Sequence, residues 1–143
     1  MANPAVFHLV RGLFDLALEH HEAGRLAEAG RLYRNVLLAV PEHGETLHLL
    51  GVVHRQVGEP GQAAGLIRAA IAIEPDVALY HVNLGLALHD LGQGDEAAAC
   101  CREALRLDPE CTEAQINLGL LLQERGELRE AEALYRVASP SRG

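Results

Sequence analysis

Asn83 and Asn117 stand 34 residues apart, each immediately before a Leu-Gly pair. A side-chain amide carries both donors and an acceptor, so one asparagine can pair with the N–H and the C=O of an extended peptide. Two at equivalent places would grip such a peptide at two points. The alternative is that each packs within its own helix pair or caps a neighbouring turn. Histidine offers a second chemistry, metal ligation or proton transfer. His20, His21, His48, His54, His81 and His89 are scattered, and none lies in the His-Glu-x-x-His pattern that places two imidazoles on one helical face. No histidine and cysteine share metal spacing. Gly92-Gln93-Gly94 follows no strand, so it reads as a turn between helices and not as a phosphate cradle. No nucleophile elbow or P-loop occurs. Glu130 and Glu132 fall on a solvated helical face. The expectation is a noncatalytic chain with no metal and no cofactor.

What positions the asparagines is a period. Pro41, Pro75 and Pro109 recur every 34 residues. So do Leu16, Leu50, Leu84 and Leu118, then Gly24, Gly58, Gly92 and Gly126, then Ala29, Ala63, Ala97 and Ala131. Gly51, Gly85 and Gly119 keep the same step, with Ala17 in the first copy. A fixed period of this length marks a helical repeat array, whose usual role is to present a concave surface to a partner. Apolar spacing and the glycine and proline stops predict helices at 4–23, 26–39, 44–57, 60–73, 78–91, 94–107, 112–125 and 128–138. Asn3 and Pro4 form a helix start, Pro60 suits an early helical position, and Thr112 with Gln115 reads as a capping box. Gly51, Gly85 and Gly119 are expected to lie against Ala63, Ala97 and Ala131, small against small, letting backbones approach.

Bulk properties narrow the partner. The formal net charge of −8 disfavours a phosphate backbone or an anionic membrane. No run of eighteen apolar residues spans a bilayer, and the N-terminus has neither the basic nor the apolar region of a signal peptide. Cys100, Cys101 and Cys111 are an odd number without C-x-x-C spacing, which favours reduced thiols in a cytoplasmic setting.

Leu84-Gly85, Ala97, Cys101, Ala104 and Pro109, with their equivalents in the other copies, resemble the tetratricopeptide repeat. The resemblance covers about residues 10 to 143 and implies an all-α, right-handed solenoid. It is taken as one domain of four helix-turn-helix repeats at about 10–43, 44–77, 78–111 and 112–143, with 139–143 a disordered tail. Departures are visible. Ala17 replaces the first glycine, Val36 replaces an alanine, and His54, Leu88, Leu47 and His81 stand where aromatic residues are usual. The polar solvating helix common at the C-terminal end of such arrays is missing, which leaves open whether the chain is a whole protein or a segment.

In this family the first helix of each repeat lines the concave groove. The resemblance therefore implies a peptide-binding face built from Asp15, His48, Arg55, Gln56, Asn83, Leu86, His89, Asp90, Asn117, Leu120, Gln123 and Glu124. In-register carboxylates outnumber arginines on this face, so a neutral or basic protein segment is favoured over an acidic one. Glu113, Leu79 and either Phe14 or His48 stand where a carboxylate-clamp lysine would be, which disfavours an acidic C-terminal tail as ligand. The asparagine pair is similar to the ladders of the O-GlcNAc transferases. Three readings stay open. One is a peptide-binding scaffold, another is the substrate-recruiting arm of a larger glycosyltransferase, and the third is a self-assembling array pairing through Leu128, Ala131, Leu134, Tyr135 and Ala138.

Overall fold

The computed structural model describes residues 3–138. The tail expected at 139–143 lies outside the described residues. Eight helices are formed among the described residues: α1 (Pro4–Glu22), α2 (Leu26–Ala39), α3 (Gly44–Gln56), α4 (Pro60–Ile73), α5 (Ala78–Asp90), α6 (Gly94–Leu107), α7 (Thr112–Glu124) and α8 (Leu128–Ala138). Every predicted boundary is met to within one residue. The helices fall into two compact units, α1–α4 ending at Pro75 and α5–α8 beginning at Asp76. The junction lies close to the sequence boundary between the second and third repeats.

One device ends every first helix. Gly24, Gly58, Gly92 and Gly126 have φ of 80°, 86°, 78° and 80°, a region an L side chain rarely enters. After α5, the Gln93 N–H donates to the Leu88 carbonyl and the Gly92 N–H to the His89 carbonyl, both at 2.9 Å. This is the Schellman pattern, and α1, α3 and α7 repeat it. The second helices α2, α4 and α6 end differently. Val40, Glu74 and Asp108 each precede a proline, which drives them out of helical geometry, and all three have φ between −132° and −142°.

Helix starts are less uniform. Asn3 caps α1 by accepting from the Ala5 N–H at 3.0 Å. His43 caps α3: its Nδ1 accepts from the Thr46 hydroxyl at 2.7 Å and from the Thr46 N–H at 3.3 Å. The capping box expected at Thr112 and Gln115 does not form. Thr112 already lies inside α7, Cys111 holds the cap position without a side-chain bond to the first-turn N–H groups, and Gln115 Nε2 donates back to the Pro109 carbonyl at 2.9 Å.

Within each unit the helix pairs pack through the periodic small residues. In the first unit Ala17, Ala29, Leu32, Tyr33, Leu50 and Val53 form a buried cluster, flanked by Leu13, Phe14 and Leu49. In the second, Val82, Ala104, Cys111 and Ala114 form another. A Cβ placed on Gly51 would meet Ile67 Cγ1 at 2.7 Å and the Ala63 carbonyl oxygen at 3.1 Å, and on Gly85 the Ala97 carbonyl oxygen at 3.2 Å. These two glycines admit the backbone beside the periodic alanine. Gly119 differs, because its missing Cβ makes room for the Tyr135 ring, 2.6 Å from where that atom would be. Gly51→Leu is therefore expected to destabilise the chain by about 1–3 kcal/mol through overpacking against fully buried Ile67. Gly65→Ala, on the exposed face of α4 with nothing near its absent Cβ, should instead stabilise by about 0.5–1 kcal/mol. Urea unfolding of the two variants reads both signs.

Candidate functional site

The second unit carries eight of the twelve predicted residues and gathers five of them at one cavity. Asn83, on α5, and Asn117, on α7, are both half-buried. A shallow cavity of about 110 Å³ is lined by Leu86 and His89 of α5 and by Asn117, Leu120 and Glu124 of α7, over Gly85, Cys101 and Leu121. All five of the first-named residues were expected on the binding face. His89 Nε2 lies 2.9 Å from Glu124 Oε2 and ties α5 to α7. Leu120 is exposed, so an amide, an imidazole–carboxylate pair and apolar surface share one small site. Gln123 is exposed, and its Oε1 accepts from the Tyr135 hydroxyl at 3.0 Å. Asp90 is exposed at the end of α5. Asn83 is not among the residues lining the cavity.

The first unit carries a related polar rung. His21 Nε2 donates to Gln56 Oε1 at 2.8 Å, since that oxygen only accepts, and the Tyr33 hydroxyl donates to His21 Nδ1 at 2.9 Å. His21–Gln56 and His89–Glu124 are both 35 residues apart, so the same link joins successive first helices in the two units. Burial pushes the Tyr33 phenol up to about 12, helped by the Glu45 and Glu22 carboxylates. Arg55 is half-buried and Gln56 exposed.

His48 departs from expectation. It was placed on the binding face, yet it is only 3 % exposed. Burial, then the neighbouring His21, pushes its ring down to about 4, so it is a neutral interior side chain at pH 7. Sequence register put it on the first-helix face without revealing how deep that position lies.

A second, larger cavity of about 610 Å³ lies in the first unit. Asp15 lines it, together with Val6, Phe7, Val10, Phe14 and Leu18 of α1, Val40, and the polar groups Arg11, His43 and Glu45. Phe14 and Leu18 share the groove register of the first repeat, whereas Val6, Phe7 and Val10 were missed. Their signal was the four-residue step of Val6, Val10, Phe14 and Leu18, which continues the helical stripe ahead of the first repeat.

Chemistry beyond binding finds no cluster. No group of three His, Cys, Asp or Glu among the described residues is placed to hold a metal ion. Cys101 is buried and pushed up to about 12 chiefly by desolvation, which keeps it a thiol. None of the three cysteines is in a disulfide. No helix among the described residues is long and apolar enough to cross a membrane.

Similarities to known proteins agree with this architecture. The tetratricopeptide repeat family model matches residues 14–78, 48–110 and 82–142. No curated protein matches the chain. Among solved structures, a mutant of Thermobaculum terrenum O-GlcNAc transferase superposes with TM-score 0.92 at 30 % identity, over 99 % of this chain and 27 % of that one. MamA from Desulfovibrio magneticus gives TM-score 0.83 at 21 % identity, over 92 % and 74 %. The first repeat domain of Spaghetti bound to an HSP90 peptide gives 0.78 at 19 %, over 82 % and 93 %. The last two are similar in fold alone. With the repeat period, the glycine-stopped helix pairs and a family match running from residue 14 to residue 142, the chain belongs to the tetratricopeptide repeat family.

Proposed function

We propose that this chain is a noncatalytic interaction module that captures an extended, neutral or basic protein segment on its first-helix face in a reducing, cytoplasmic compartment. The observation that carries the reading is the pairing of Asn83 and Asn117 at the same repeat position on α5 and α7 of one unit, with Asn117 beside Leu86, Leu120 and Glu124 in the small cavity. The amides would hold the peptide backbone, the leucines its apolar side chains, and Glu124 and Asp90 its basic ones. Helical repeats of this family commonly mediate protein–protein contacts, and the Spaghetti domain holds a peptide.

The similarity to a transferase over 99 % of this chain favours one further reading, a substrate-recruiting arm for a glycosyltransferase. The chain spans only 27 % of that protein, so the activity would reside elsewhere.

The test is a peptide array probed with the wild type and an Asn83→Ala, Asn117→Ala double variant. Peptides captured by the wild type should be lost by the variant, with a dissociation constant raised about tenfold or more. An unchanged dissociation constant with an intact circular dichroism spectrum would sink the asparagine reading. Binding that appears only when a transferase catalytic domain is added would favour the recruiting arm.

A further inference from the structure

The larger cavity in the first unit is a stripe. Val6, Val10, Phe14 and Leu18 follow one another at four-residue steps along α1, with Phe7 beside them. Twelve residues of α-helix rise roughly 18 Å, so the stripe runs more than three turns. Phe7 is 59 % exposed and Val6 43 %, Phe14 and Leu18 are half-buried, and Val10 is buried, so the cavity has exposed apolar walls at one end and a packed floor. Isolated exposed apolar residues are ordinary, whereas a contiguous row along a helix has the geometry of a helix-packing surface.

The polar groups around the stripe fix the sign of its occupant. Asp15 and Glu45 both line it and are exposed. Among the described residues Arg11 is the arginine that lines it, 3.9 Å from Asp15, so two carboxylates face one guanidinium. His43 is tied to Thr46, its Nδ1 2.7 Å from the Thr46 hydroxyl. Beneath the stripe, the Phe14 ring lies 6.2 Å from Tyr33 and 5.4 Å from His43. The Tyr33 phenol there feels the negative field of Glu45 and Glu22. Residues 1–75 carry eight carboxylates against six arginines.

We propose that this stripe docks the apolar face of a basic amphipathic helix from a protein partner, its large side chains set between Phe7 and Leu18 and its lysines or arginines against Asp15 and Glu45. A helix lying along α1 offers anchors at i, i+4 and i+7 that match a row of this length. This is a second docking mode, which shares Asp15 with the first-helix face but lies on a different unit from Asn83 and Asn117 and does not depend on them.

The probes are three labelled synthetic peptide amides: an amphipathic helix with a lysine and arginine polar face, the same apolar residues with glutamates instead, and a scrambled form of the first. Fluorescence anisotropy is read with the full chain and three variants: Phe7→Ser, Asp15→Asn with Glu45→Gln, and Asn83→Ala with Asn117→Ala. The basic helix should saturate and bind about tenfold or more tighter than the acidic one, and Phe7→Ser should weaken it by about tenfold. The Asp15, Glu45 variant should erase the preference between the two charges, and the asparagine variant should bind like the wild type. Because Phe7 is exposed, its replacement should leave the melting curve unchanged, which is checked alongside. Absence of saturable binding by the basic helix, equal binding of the scrambled peptide, or an unaffected Phe7→Ser each overturns the proposal. A peptide-free chain that sediments as a dimer, and as a monomer once Phe7 is serine, assigns the stripe to a second copy and overturns it equally.

Discussion

Tyr33→Ala is expected to lower unfolding free energy by about 3–5 kcal/mol, the range for deleting a buried aromatic ring. Tyr33 is wholly buried, contributes to the cluster of Ala17, Ala29, Leu50 and Val53, and packs against Phe14 and His21. Its hydroxyl also donates to His21 Nδ1, and His21 in turn holds Gln56 of the next repeat. The loss should therefore reach beyond the α1–α2 pair. Tyr33→Phe isolates the polar part. It keeps the ring, removes the donor, and should cost about 1 kcal/mol. Urea titrations of both variants provide the measurement. A Tyr33→Ala loss no larger than that of Tyr33→Phe would mean that the ring is not what fills the first unit.

Acid should weaken the fold well before the carboxylates titrate, and His48 is the reason. Its folded value of about 4 lies below the 6.5 of a solvated imidazole. The unfolded chain thus takes up a proton that the folded chain refuses. Stability from this group is fully present above pH 6.5, declines as pH falls, and is gone below about pH 4. The loss amounts to about 3 kcal/mol at most. His48→Gln, which cannot titrate there, should show a flatter acid limb between pH 6.5 and pH 4 when unfolding free energy is followed against pH. Parallel curves for the two proteins would show that burial of His48 does not set the acid response.

Helix boundaries were readable because backbone chemistry marks them. A glycine that must adopt positive φ, and a proline that forbids helix in the preceding residue, act locally and leave the same mark in every repeat. The grouping of Leu86, His89, Asn117, Leu120 and Glu124 followed from register, since positions 34 or 35 apart on successive first helices become neighbours. Depth was not readable. His48 occupies the same face in sequence as exposed residues, and only packing distinguishes them. The capping box failed for a related reason. Its pattern was present, but Cys111 and not Thr112 holds the cap position, and the Gln115 amide donates back to the Pro109 carbonyl. The first half of the stripe on α1, Val6, Phe7 and Val10, escaped notice because it lies at or ahead of the start of the repeat, where no counterpart elsewhere in the chain draws attention to it.

The notch at Gly119 bears on how freely the parts of this array can be exchanged. Gly51 is cut to admit Ile67 and a backbone carbonyl, and Gly85 another carbonyl beside Cys101, but Gly119 is cut to admit the ring of Tyr135. The group nearest each notch changes from Ile67 to the Ala97 carbonyl to Tyr135 along the chain, although the glycine does not. A recombinant that grafts α6 in place of α8 would set a cysteine where α7 has made room for a ring, and the reverse graft would bring a ring to a glycine that a backbone carbonyl approaches closely. Identical landmarks thus conceal mated halves, and the smallest transferable piece of this protein is the helix pair.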